Sequence, residues 1–178
     1  MGAGRAGGVS LWLMPEGALR ERLAALIQEL AARLGTEPFL PHVTLLPGLA
    51  GPEAVLLEAS RSLAALLPPL TVRLVSVEGR DQHFRCLFAR AEADEPLRAA
   101  HEAAARTFGR AADLAFLPHL SLVYGTLAAE TKWPLATELE PAVPASFEAA
   151  RLHAWRTDGP VGDWREIGTF PFRGGGRF

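Results

Sequence analysis

The sequence predicts an α+β fold with helices packed outside sheets, and three features carry that expectation. Leu19, Leu23, Leu26, Ile27, Leu30 and Leu34 recur at the 3.6-residue period of an amphipathic helix, with Gly35 where a helix C-terminus favours glycine. Leu70–Val77 and His83–Ala89 alternate in polarity about a turn near Gly79, which predicts two antiparallel strands. Two windows nearly superimpose, FLPHVTLLPG at 39–48 and FLPHLSLVYG at 116–125, each a short apolar run that reads as a strand after proline.

The remaining elements follow in order. Val9–Met14 is β-branched and aromatic and ends at Pro15, so it reads as a first strand ahead of a helix over 16–34. His42–Leu46 is a strand between Pro41 and Pro47, and Pro52–Leu67 a second helix stopped by Pro68 and Pro69. Glu95–Phe108 is an alanine-rich helix with Gly109 as its stop, and His119–Tyr124 is a strand bounded by Pro118 and Gly125. A weaker helix is expected over Ala128–Leu139, then two closing strands, Phe147–Trp155 and Trp164–Phe170. The whole chain, 1–178, is expected to be one domain, with 1–8 and 173–178 loose.

Composition narrows the function classes. No apolar run approaches the length of a membrane span, and MGAGRAGGVS has no secretory core, so a cytoplasmic protein with no membrane partner is expected. Cys86 is the only cysteine, which rules out an intramolecular disulfide. The formal charge of -2, with Lys132 the sole lysine and arginines scattered, gives no basic stripe for long nucleic acid. Gly2–Gly7 spells GxGxxG, but no strand precedes it as a dinucleotide fold demands. No GxSxG elbow or phosphate-binding GxxxxGK[ST] loop occurs.

The chemistry lies in the repeat. His42 with Thr44, and His119 with Ser121, are two residues apart, so each imidazole and hydroxyl share one face of a strand while Val43, Leu45, Leu120 and Leu122 face the core. Two imidazoles can remove a proton from water and protonate a leaving alkoxide, and two hydroxyls can donate to phosphoryl oxygens as charge builds. Histidines of ordinary pKa would give a bell-shaped optimum in the neutral range. The scheme requires no metal and no cofactor. A zinc site on His42 and His119 would lack further ligands, Cys86 being the only soft donor. His101 reads as a solvated helix residue, while His83 and His153 lie on strands near Phe84 and Trp155 and could edge a substrate.

On these motifs the chain resembles the two-histidine phosphoesterase superfamily, defined by paired HxT/HxS motifs, and most resembles its plant and fungal cyclic phosphodiesterases. SLWLMP at 10–15, HFRCLF at 83–88 and RTDGPVGDWREI at 156–167 extend the likeness over nearly the whole chain. The resemblance implies two pseudo-symmetric lobes, with two antiparallel sheets facing a central cleft. It implies hydrolysis of ADP-ribose 1″,2″-cyclic phosphate and of nucleoside 2′,3′-cyclic phosphates to 2′-phosphates, by a monomer. His42 and His119 match the catalytic pair, Thr44, Ser121 and Tyr124 the phosphate contacts, and Trp12 and Phe84 the cleft aromatics. The plant enzymes' disulfides have no counterpart here. Two alternatives share the motifs: an RNA-terminus or 2′-5′ RNA ligase-like enzyme, and a nucleotide-binding module without turnover.

Overall fold

The computed structural model describes residues 7–175. The chain runs β1 (Val9–Leu13), α1 (Gly17–Leu34), β2 (Val43–Leu49), α2 (Glu53–Leu66), β3 (Leu70–Gly79), β4 (Leu87–Ala91), α3 (Glu95–Thr107), β5 (His119–Val123), α4 (Ala129–Leu139), β6 (Ala145–Ala149), β7 (Arg151–Arg156) and β8 (Arg165–Pro171). The strands form one curled, antiparallel sheet in the order β6-β3-β4-β5-β2-β1-β7-β8.

The expected two sheets are the two halves of this sheet. They meet at β2 and β5, where Val43 opposite Leu120 is the single paired position. The halves repeat one unit. β1 and β2 are antiparallel neighbours joined by α1, and β4 and β5 are antiparallel neighbours joined by α3.

Backbone pairing alone would hold this seam weakly, and the helices reinforce it by crossing over. α1 packs on β5 and α3 on β2, so each half lays a helix beneath the other half's strand. Leu23, Ile27 and Leu30 of α1 and Leu97, Ala100 and Ala104 of α3 share one core with Val43, Leu45, Leu120 and Leu122, all fully or almost fully buried. The period-two expectation is met: the apolar members of each motif face helices. Asp94 caps α3 by accepting from the Leu97 N–H, and Gly35 ends α1 at φ 67°, where a Cβ would be strained.

Three sequence expectations need correction. The strand expected over His83–Ala89 is a 3₁₀ turn at His83–Arg85 and a strand only from Leu87. The Arg80 N–H bonds back to the Arg85 carbonyl and closes a loop, which alternation of side chains does not reveal. The strand expected over Phe147–Trp155 is β6 and β7, which pair with β3 and with β1 in opposite halves; the sheet curls until the chain crosses between them at Ala150. The tails expected to be loose are tied where they are described. Gly8 donates to Asp158 Oδ1 at 2.7 Å and accepts from the Thr157 N–H, while Arg173 and Gly174 donate to Ala64 and Leu67. Residues 1–6 and 176–178 lie outside the described residues.

Candidate active site

A cavity of about 720 Å³ opens where β2 and β5 meet, and it is lined by His42, Thr44, His119, Ser121, Tyr124, Trp12 and Phe84 together. All seven residues singled out from the sequence therefore share one space. Its size is ordinary for a small-ligand pocket.

Each histidine is seated in the same way. In Leu40-Pro41-His42 the ring Nδ1 lies 2.7 Å from the Leu40 carbonyl, and in Leu117-Pro118-His119 it lies 2.8 Å from the Leu117 carbonyl. A carbonyl can only accept, so Nδ1 carries the hydrogen and each neutral ring keeps its lone pair on Nε2. The tripeptide Leu-Pro-His thus sets the same tautomer twice.

The surroundings differ. The His42 ring lies flat on Trp12, centroids 3.6 Å apart and planes 9° from parallel, and Trp12 stacks in turn on Trp155. Burial pushes the His42 pKa down to about 4, with the charge of His119 a smaller cause in the same direction. His119 meets the edge of Phe88, 5.0 Å away, and is only half-buried. Its pKa is also lowered, first by burial and then by the positive charges of Arg85 and Arg80. The ordinary values expected from sequence are therefore corrected: both imidazoles are neutral at neutral pH before an anion binds.

The hydroxyls differ as well. Ser121 Oγ donates to the Phe84 carbonyl at 2.9 Å, whereas the Thr44 hydroxyl has no hydrogen-bond partner among the described residues. Tyr124 is buried, with its ring stacked on Phe39 at 3.8 Å. Burial holds the phenol well above its ordinary pKa, so it remains a neutral donor.

Phe88 has a role the sequence reading missed. Trp12 stands opposite Thr44 across β1 and β2, and Phe88 stands opposite Ser121 across β4 and β5, so Phe88 is the structural counterpart of Trp12. Phe84, on the 3₁₀ turn, lies edge-on to Tyr124 instead. Trp164 and Arg85 also line the cavity, brought in by a loop and a turn that carry no periodic signal.

His101 is not solvated. It is buried on α3, its Nδ1–H donates to the Leu45 carbonyl at 2.8 Å, its Nε2 accepts from the Asp113 N–H, and it stacks on Phe116. It thereby fastens β2 to the segment leading into β5, just past the single paired position. Reading 95–108 as a polar-flanked helix hid this, because only packing shows which face of α3 is turned to β2. His83 lines the cavity from the turn, while His153 donates from Nδ1 to Glu166 at 2.6 Å, away from the cavity wall. Among the described residues no three His, Cys, Asp or Glu side chains gather as a metal ion would require. No described helix is long and apolar enough to cross a membrane.

Comparison with known proteins agrees with this geometry. The 2'-5' RNA ligase superfamily matches residues 15–160. TT0787 of Thermus thermophilus superposes with a TM-score of 0.60 at 24% identity, covering 94% of this chain and 99% of that one. Escherichia coli LigT, solved with 3′-AMP, gives 0.61 at 14% identity over 92% and 96%. Usb1 of Kluyveromyces marxianus gives 0.53 at 17% identity over 92% and 97%. At these identities the structural likeness shows the two-histidine phosphoesterase fold. No curated protein matches the chain.

Proposed function

The chain belongs to the 2'-5' RNA ligase superfamily of two-histidine phosphoesterases, and we propose that within it this protein hydrolyses small cyclic phosphodiesters by acid–base catalysis without a metal ion. The observation that carries the reading is the twinned Leu-Pro-His seat, which leaves two Nε2 atoms free in one cavity beside Thr44 and Ser121. One Nε2 takes a proton from water as its oxygen bonds to phosphorus. The other, protonated when the anionic substrate enters, gives its proton to the departing ribose oxygen as the P–O bond breaks. On a nucleoside 2′,3′-cyclic phosphate the O3′ bond breaks and a 2′-phosphate forms; on ADP-ribose 1″,2″-cyclic phosphate the product is the 1″-phosphate. In this scheme the Thr44 hydroxyl and the neutral Tyr124 phenol, both in the cavity wall, donate to the phosphoryl oxygens as charge builds, and the Ser121 hydroxyl joins them by turning from the Phe84 carbonyl. The 3′-AMP complex of LigT is of the ligand size proposed.

The test is product analysis over ADP-ribose 1″,2″-cyclic phosphate and the four nucleoside 2′,3′-cyclic phosphates, with 2′- and 3′-phosphates resolved. The expected result is 2′-phosphate product, unchanged by EDTA. Turnover abolished by EDTA and restored by zinc or manganese would overturn the metal-free scheme.

An RNA-terminus substrate is favoured by one observation, the arginines Arg85 and Arg110 in the cavity wall. An enzyme that tracks several phosphates loses affinity with salt at a slope of about -0.7 per single-strand contact. We expect a shallow slope and a higher kcat/KM on the small cyclic phosphate than on an oligoribonucleotide with the same terminus. A tenfold preference for the oligonucleotide, with a slope of several contacts, selects the RNA reading.

A further inference from the structure

The loop from Arg80 to Cys86, between β3 and β4, is fastened on several sides beside the His119 seat. Ser121 Oγ donates to the Phe84 carbonyl, the Gly125 N–H donates to the His83 carbonyl at 2.9 Å, and the Arg80 N–H closes onto the Arg85 carbonyl at 2.9 Å. Lys132, the sole lysine, holds it from α4. Its side chain is 2% exposed, its Nζ donates to the Arg80 carbonyl at 3.1 Å, and it pairs with the exposed carboxylate of Asp81. Gly79 makes room for the lysine stem, since a Cβ there would lie 2.9 Å from Lys132 Cδ. Burying an ammonium group is costly unless it is paired and hydrogen-bonded, and here that group is used to fix one loop.

The loop so held presents two guanidinium groups that no carboxylate answers. Arg33, Arg73, Arg90 and Arg156 each pair with an acidic side chain. Neither Arg80 nor Arg85 has a side-chain hydrogen bond or ion pair among the described residues. Arg85 is half-buried in the cavity wall and Arg80 is exposed at the start of the loop, and the positive charge of each lowers the His119 pKa. A scissile cyclic phosphate carries one negative charge, for which the cavity already offers two imidazoles and the Thr44 and Tyr124 hydroxyls. A guanidinium carried on a fastened loop beside that set, with no partner of its own among the described residues, fits a further phosphate, which its planar fork binds with two hydrogen bonds.

We propose that Arg85, supported by Arg80, forms a subsite for a second phosphoryl group carried by the same substrate. The preferred substrates are then cyclic phosphates that bear a 5′-phosphate or a pyrophosphate, rather than bare nucleoside 2′,3′-cyclic phosphates. This rests on the phosphodiesterase reading of the same cavity.

The experiment compares kcat/KM on adenosine 2′,3′-cyclic phosphate with and without a 5′-phosphate, and on ADP-ribose 1″,2″-cyclic phosphate, for the wild type, Arg85→Gln and Arg80→Gln. The wild type is expected to favour a doubly phosphorylated substrate tenfold or more. Arg85→Gln should bring that ratio close to one and Arg80→Gln should lower it less, with melting temperatures unchanged. Whichever of the 5′-phosphate and pyrophosphate preferences falls identifies the source of the second phosphate. A wild-type ratio near one, a ratio that survives both substitutions, or an equal loss on every substrate in Arg85→Gln overturns the subsite. The same comparison is made by calorimetry with adenosine 2′,5′-bisphosphate and adenosine 2′-phosphate, which does not depend on turnover. If no cyclic substrate is hydrolysed, the phosphodiesterase reading falls, and the calorimetric ratio in the wild type and Arg85→Gln alone decides whether the subsite exists.

Discussion

His42 and His119 stand on one backbone device in two different surroundings. Both rings donate from Nδ1 to the carbonyl two residues back, across a proline. Yet His42 is stacked flat on Trp12 and buried, while His119 meets only the edge of Phe88 and feels the positive charges of Arg85 and Arg80. The comparison separates two jobs. Local sequence sets the tautomer, because the donor–acceptor pair lies within three residues. Tertiary packing sets the proton affinity, because desolvation and neighbouring charge come from elements far away in the chain. Two near-identical motifs can therefore supply a base and an acid.

The largest expected effect tests whether the two halves serve one reaction. His42→Ala and His119→Ala should each lower kcat by at least about 10²-fold, since each removes one proton transfer from the same transition state. The double variant should be little worse than either single one. A single variant that keeps more than a tenth of wild-type kcat would sink the shared mechanism.

A next effect sharpens the difference between the hydroxyls. Thr44→Val should cost about 3 kcal/mol in kcat/KM, the usual loss for one donor to a developing oxyanion, with the melting temperature unchanged. Ser121→Ala also frees the Phe84 carbonyl and the turn that carries Arg85, so KM should rise along with the fall in kcat. Identical changes in KM and kcat at the two positions, measured under saturating conditions, would show that the hydroxyls are equivalent after all.

The smallest effect reports on His42 alone. Unfolded, its imidazole takes a proton near pH 6.5; folded, it resists until about pH 4. The unfolded state therefore binds more protons in this window, so the stability is fully present above pH 6.5 and is lost as pH falls towards 4. Between pH 7 and pH 5 the loss should be about 2 kcal/mol. His42→Gln should lessen the fall of the urea midpoint over that range, leaving the smaller part that His119 contributes, and an unchanged pH dependence in the variant would refute the assignment. Because both imidazoles are lowered, the bell of kcat/KM should centre on the acid side of 6.5 rather than in the neutral range.

Much of the fold was legible because its signals are local. The leucine period of α1, the prolines that bracket the strands and the alternation in each motif state which side of an element faces the core, and the structure agrees. His42, Thr44, His119 and Ser121 were legible for the same reason, as was their convergence, since a repeated motif implies a repeated position. What was not legible involves a partner from elsewhere. His83–Arg85 reads as strand by alternation, but the carbonyls of its turn are bonded by Ser121 and Gly125. His101 reads as solvated, but Leu45 and Asp113 claim both its nitrogens. Phe88 is one apolar residue among many until its position opposite Ser121 matches it to Trp12.

By itself, then, the sequence determined the α+β class, the two Leu-Pro-His seats and the tautomer each imposes, because these depend on dihedral preferences and hydrogen bonds within a few residues. Only the tertiary structure decided that the two halves form one curled sheet joined at Val43 and Leu120, that His42 and His119 hold protons less readily than free imidazoles, and that Arg85, among scattered arginines, lines the same cavity as His119. Those properties follow from burial and from charges at close range in space, and separation along the chain does not record either.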